Sequence, residues 1–135
     1  MSNELRWKQR FQNFENAYAV FERRITEYRQ YPNQEVYQMA LVQAFEMAIE
    51  LSWKTLRDYL QNQGYFDIKN GKQAIRQAFQ DGMVSDSENW MEAIDLRNAT
   101  SHLYDPAVFN KIIVFLDRCF VTLLRDLHIQ LKKNL

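Results

Sequence analysis

Apolar residues recur near the start of the chain at alternating steps of four and three: Trp7, Phe11, Phe14, Tyr18, Phe21, Ile25 and Tyr28. That spacing places them on one face of a long amphipathic helix, and such a face is core by default. The same even spacing suits packing at a shallow crossing angle against an antiparallel neighbour or a second copy of the chain. Pro32 lacks an amide donor and drives Tyr31 away from helical angles, so the helix is predicted to end before it. A second helix is predicted to run from roughly Gln34 to Gln63.

In this second segment apolar residues, among them Leu41, Phe45, Ala48, Ile49, Trp53 and Leu56, cover more than half the circumference. A helix with so wide an apolar arc is surrounded by neighbours. Its polar remainder is a narrow strip of Glu46, Glu50, Lys54 and Arg57 at helical spacing. Gly64 follows as a left-handed cap. A short helix is then predicted between Gly71 and Gly82, with Ala74, Ile75, Ala78 and Phe79 on its buried side. Ser85, three residues before Glu88, has the capping-box pattern and predicts the start of a further helix through Trp90 and Ile94. Asp105 suits an N-cap and Pro106 a first helical position, so a last helix is predicted from there to the basic end at Lys132 and Lys133.

No segment alternates with period two over a useful length. The predicted fold is all-α: an up-and-down four-helix bundle with an additional short helix, in one domain over residues 1–135. A chain of 135 residues, 47% of them hydrophobic, is long enough to bury one proper core. Lysine plus arginine balance aspartate plus glutamate at 17 each, so no overall positive field favours non-specific nucleic-acid binding. Any phosphate must be held locally. The single Cys119, set among Leu116, Phe120 and Leu123, reads as a small hydrophobe and excludes an internal disulfide. The charged start, "MSNELRWKQR", and the lack of a run of about 18 apolar residues predict a cytoplasmic protein with no membrane span. No His or Asp set suggests a metal, and no cofactor is implied.

The stretch "DLRNATSHLYDP", residues 95–106, breaks the packing pattern by bringing Arg97, Asn98, His102 and Tyr104 together just before a helix junction. On a regular helix Arg97 and His102 point roughly 140° apart, whereas Asn98 and His102 share a face. Fraying near His102 and the reach of arginine would gather these groups at one corner of the bundle. Histidine exchanges a proton near neutral pH, and the guanidinium offers a fork of donors matched to phosphate. Such a pair, together with a second histidine or a water, could cleave RNA without metal: the imidazole assists attack by a 2'-hydroxyl, and the guanidinium stabilises charge on the phosphoryl oxygens. The alternative is structural, with these side chains satisfying terminal carbonyls and Asp95 pairing with Arg97 or Lys72. His128 reads as a favourable charge near a helix C-terminus. Glu46 and Glu50, followed by Lys54 and Arg57, read as a self-compensating solvated face.

Three blocks in order, "AFEMAIELSWKTLRDYL", "AIRQAF" and "WMEAIDLRNATSHLYD", resemble the nucleotidyltransferase substrate-binding proteins, a branch of the all-helical HEPN superfamily. The resemblance covers residues 40 to 106. It implies a four-helix bundle that dimerises with the Arg-Asn-x3-His motif of both copies facing a shared cleft, and a small nucleotidyltransferase partner encoded nearby. Substrate or nucleotide binding would then fall to Arg97, Asn98, His102 and Tyr104, with Glu50 and Lys54 lining the same cleft. Related members carry Arg-x4-6-His-x-Tyr and are metal-independent RNase toxins silenced by adenylylation of the tyrosine. By that pattern Arg97 and His102 would be catalytic and Tyr104 the modified residue. Trp53 and Trp90 read as core, although an aromatic beside a cleft also offers a face for a base.

Overall fold

Helix α1 spans Asn3–Gln30 and helix α2 spans Glu35–Asn62 in a computed structural model that describes residues 2–135. Helix α3 covers Gly71–Gln80 and α4 covers Ser87–Ala99, continued by a 3-10 turn at Thr100–His102. Helix α5 (Pro106–Phe115) passes through a π-helical segment, Leu116–Phe120, into α6 (Val121–Lys133). The rods α1, α2 and α5–α6 join α4 as the four members of an up-and-down bundle, and α3 is the additional short helix. No strand occurs among the described residues. None of their helices is long and apolar enough to cross a membrane.

The α1 stripe is core as its spacing predicts: Trp7, Phe11, Phe14, Phe21 and Ile25 are buried, while Tyr18 and Tyr28 are half-buried at its margin. Tyr31 leaves the helix at φ −131°, ψ 64° ahead of Pro32, and the short turn makes α1 and α2 antiparallel neighbours. Gly64 ends α2 in the left-handed region at φ 103°. Phe120 lies at the centre, with its ring edge-on to Phe21, Phe45 and Trp90 at centroid distances of 5.3, 4.9 and 5.8 Å.

Several details depart from the sequence reading. The N-cap of α4 is Asp86, not Ser85: one carboxylate oxygen accepts from the Asn89 amide N–H at 3.1 Å and the other from its side-chain amide at 2.7 Å. A carboxylate that satisfies two donors outcompetes a hydroxyl one position earlier. Phe79 is 48% exposed. At about 100° per residue it falls some 80° from Gly71, at the edge of the arc that Gly71, Ala74, Ile75 and Ala78 bury.

His128 is a packing residue between helices rather than a free terminal charge. Its ring stacks on Tyr18 at 4.3 Å, and its Nε2 meets Glu15 of α1 at 2.8 Å. The last rod is also not a uniform α-helix. Its π turn takes up one extra residue and brings Leu116 and Phe120 to the core. Cys119, in that turn, has its thiol pKa pushed up by burial and then by the Asp86 carboxylate. Little thiolate therefore forms near neutrality. Iodoacetamide at pH about 8 is expected to modify it at least roughly threefold more slowly than the thiol of glutathione, as read by intact mass.

Candidate anion site at the α2–α4 corner

Arg97 is placed by the last turn of α4, half-buried against α2. Its Nη1 donates to Thr100 Oγ1 at 3.2 Å, while Thr100 donates its hydroxyl to the Arg97 carbonyl at 2.8 Å. The Nε–H is buried and has no acceptor among the described residues. A buried charged donor left without a partner costs about 1–3 kcal/mol, so it calls for an explanation in terms of what it awaits.

Two hollows meet at this side chain. One, of about 700 Å³, is a groove between α1 and α2 bordered by Arg10, Asn13, Asn16, Glu50, Lys54 and Arg97. The other, of about 370 Å³, lies between α2, α4 and the start of α3, against Glu50, Trp53, Gly71, Lys72, Arg97 and Asn98. Glu50 and Arg97 belong to both and form the partition. Glu50 is engaged by Lys54 at 3.6 Å, the self-compensating pair that their spacing predicts. Asp95 pairs with Lys72 at 2.7 Å and leaves Arg97 unopposed.

Trp53 is half-buried rather than core. The Arg57 guanidinium lies over its ring at 5.3 Å and Lys54 at 5.9 Å, and the ring forms one wall of the smaller hollow. Gly71 allows this close approach, since a Cβ there would stand 3.2 Å from Trp53 Cγ. Trp90 is core, as its spacing predicts.

The motif is divided in space. Arg97 and Asn98 border the hollows, whereas His102 and Tyr104 border neither. They sit on the exposed turn after α4, with His102 Nδ1 at 3.2 Å from Tyr104 Oη and Tyr104 81% exposed. The chain turns away because α4 ends at Ala99 and Asp105 already caps α5, accepting the Ala107 N–H at 2.9 Å. Leu103, between the pair, borders a hollow together with Val36, Met39 and Glu46 of α2. Glu46 also borders the α1–α2 groove, so the turn and the groove share one face of the molecule.

A further cavity of about 380 Å³ at the opposite end carries Asp86 and Asp126 but no basic side chain, which makes it unsuited to an anion. The sequence reading did not single out Arg10, Asn13 and Asn16, nor Asp58, which holds Arg10 from beneath. The available signal was Asp58 four residues after Lys54, which continues the strip of Glu46, Glu50 and Lys54.

A family model described as nucleotidyltransferase substrate binding protein like matches residues 9–133. The chain belongs to that family. It is 35% identical over 83 residues to a "Probable ribonuclease HepT" of Haemophilus influenzae. That match spans 56% of this chain and 57% of the relative, a little over half the length of each. A solved structure from the same organism, HI0074, described as revealing the fold of a substrate binding domain of a nucleotidyltransferase, matches with a TM-score of 0.76. The identity there is 24%, over 90% of this chain and 98% of that one, and the likeness is one of fold. Within this nucleotidyltransferase substrate binding-like family member, the partition of Glu50 and Arg97 lies well inside the matched span.

Proposed function

We propose that this chain is the nucleotide- or substrate-binding subunit of a two-component nucleotidyltransferase, acting as a homodimer that docks a small catalytic partner. The observation that carries this reading is the buried Arg97 Nε–H without an acceptor, set between two hollows. An anionic group entering either hollow would gain the fixed positive charge of the guanidinium, and would accept from the Nε–H once the atoms that now cover it move aside. Asn98 and Lys54 would add donors from either side. Trp53 offers a face on which a base can stack.

Homodimerisation is supported by the exposed apolar side chains on the same face, Val36, Met39 and Met47, next to the projecting His102–Tyr104 turn. A second copy applied to that face would bring its own His102 toward the hollows of the first. The test is direct. The purified chain should sediment as a dimer, retain the small nucleotidyltransferase encoded beside it in a pull-down, and show AMP-induced NMR shifts at Arg97 and Asn98. Failure of the pull-down together with unmoved signals would reject the reading.

A second reading is favoured by the contact between His102 and Tyr104 and by the relative named as a ribonuclease. In it His102 takes the proton from a 2'-hydroxyl that attacks the adjacent phosphorus, the 5'-oxygen departs with a proton taken from water, and Arg97 neutralises charge on the phosphoryl oxygens. Transfer of AMP from ATP to Tyr104 Oη, with loss of pyrophosphate, would place bulk and negative charge beside His102 and silence it. This reading predicts growth arrest on expression that His102→Ala abolishes. It also predicts that co-expression with the transferase adds one or more adenylyl masses to this chain. Intact RNA after incubation with excess protein at low salt would count against it.

A further inference from the structure

Asp58 is the one buried carboxylate among the described residues, 1% exposed on the side of α2 that meets α1. Each of its oxygens accepts from a different arginine: Oδ2 from Arg10 Nε at 3.0 Å and Oδ1 from Arg57 Nε at 3.1 Å. A buried carboxylate requires compensation, and one cation with good geometry supplies it. Here there are two, so the cluster carries an excess positive charge.

The two arginines are used differently. Arg57 spreads its guanidinium over the Trp53 ring. Arg10 remains about one-third exposed and borders the α1–α2 groove. Its Nε is tied to Asp58, and neither Nη has an acceptor among the described residues. Tethering an arginine by Nε fixes the plane of its fork and leaves the two Nη groups free to donate together, the arrangement suited to phosphate.

The position along the groove sets what Arg10 would meet. Going along α2, Glu50 stands beside Arg97, Lys54 is one turn further on, and Asp58 with Arg10 is one turn beyond that. At 1.5 Å per residue, the Arg97 and Arg10 levels are separated by about 12 Å along the helix axis. A diphosphate held at Arg97 reaches only the level of Lys54, whereas a triphosphate extends past Lys54 toward Arg10. The only carboxylate of the groove not paired with a lysine or arginine, Glu46, is at the far end.

We propose that Arg10, oriented by Asp58, is a second anion-binding residue of the groove that selects nucleotides with a chain of three or more phosphates over shorter ones. This deepens the binding-subunit reading and rests on it. Asp58 is a positioning residue, since it acts through Arg10 and touches no ligand.

The experiment is calorimetric titration of the full chain with ADP and ATP in EDTA, repeated with Arg10→Met, Arg10→Gln and Asp58→Asn. One charge-assisted contact at the terminal phosphate makes ATP about tenfold tighter than ADP in the unaltered protein. The ratio should fall to near one in Arg10→Met and to an intermediate value in Arg10→Gln, which keeps one donor. Arg57 still compensates Asp58 in both Arg10 variants, and thermal melts verify that they fold. Asp58→Asn should lower the ratio without removing the Arg10 charge, which a merely structural role would not do. A tenfold preference that survives both Arg10 variants overturns the inference and leaves the nucleotide reading standing. Absence of ADP and ATP binding at millimolar concentration overturns both. A response to Arg10→Met confined to an RNA oligonucleotide, with an unaltered ATP-to-ADP ratio, also overturns it in favour of a phosphodiester ligand.

Discussion

Arg97→Met is expected to weaken AMP binding by about a hundredfold while leaving the melting temperature unchanged or slightly raised. The affinity loss follows from removing two charge-assisted hydrogen bonds, each worth about 1.5–3 kcal/mol, less what water recovers at a half-open site. The stability change has the opposite sign. Arg97 buries an Nε–H without an acceptor and gains only the 3.2 Å contact to Thr100 in return. Methionine fills similar space without that desolvation cost and is expected to gain up to about 1 kcal/mol. Calorimetric titration and a thermal melt on the same sample check both halves. A structural arginine would show the reverse pattern, with loss of stability and no loss of affinity.

Phe120→Ala is expected to have the largest effect on stability, a loss of about 3–5 kcal/mol in urea unfolding. The ring is fully buried, and the three aromatics packed edge-on around it come from α1, α2 and α4. No single one of them can move into the space without leaving its other contacts, so the cavity persists. For a chain of this length the corresponding drop in Tm is about 10–20 °C. A natural domain holds only about 5–15 kcal/mol in total, so the variant should be near the limit of folding at 37 °C. A drop of under about 1 kcal/mol would mean that the π turn relaxes and refills the core.

Much of the fold was legible because burial follows a local period. Trp7 to Ile25 could be placed on the core side from spacing alone, and Pro32, Gly64 and Asp105 mark chain boundaries by their own backbone chemistry. Errors arose where two residues compete for one role or where the partner is distant. Ser85 and Asp86 both suit an N-cap, and the difference lies in the second oxygen that Asp86 offers to Asn89. His128 finds Glu15 at a separation of 113 residues, which no local pattern encodes. The π turn shifts the last stripe by a single residue, too little to distinguish from ordinary irregularity.

The site divides along the same line. Arg97, Asn98, Glu50 and Lys54 are neighbours that a family resemblance and helical spacing can bring together. Arg10 joins them only through Asp58, 48 residues away, and only once α1 and α2 are known to run antiparallel. His102 and Tyr104 are adjacent in sequence to Arg97, yet the end of α4 at Ala99 carries them onto a separate turn.

The most direct measurement is the nitrogen-15 side-chain spectrum of the arginines during an AMP titration, with the Arg97 Nε–H signal assigned by its loss in Arg97→Lys. If this proton is a donor reserved for an anion, its resonance moves downfield and saturates along with the calorimetric isotherm. A signal that stays fixed while AMP rises to millimolar concentration would contradict a ligand-binding role for Arg97 and leave it as a strut at the end of α4.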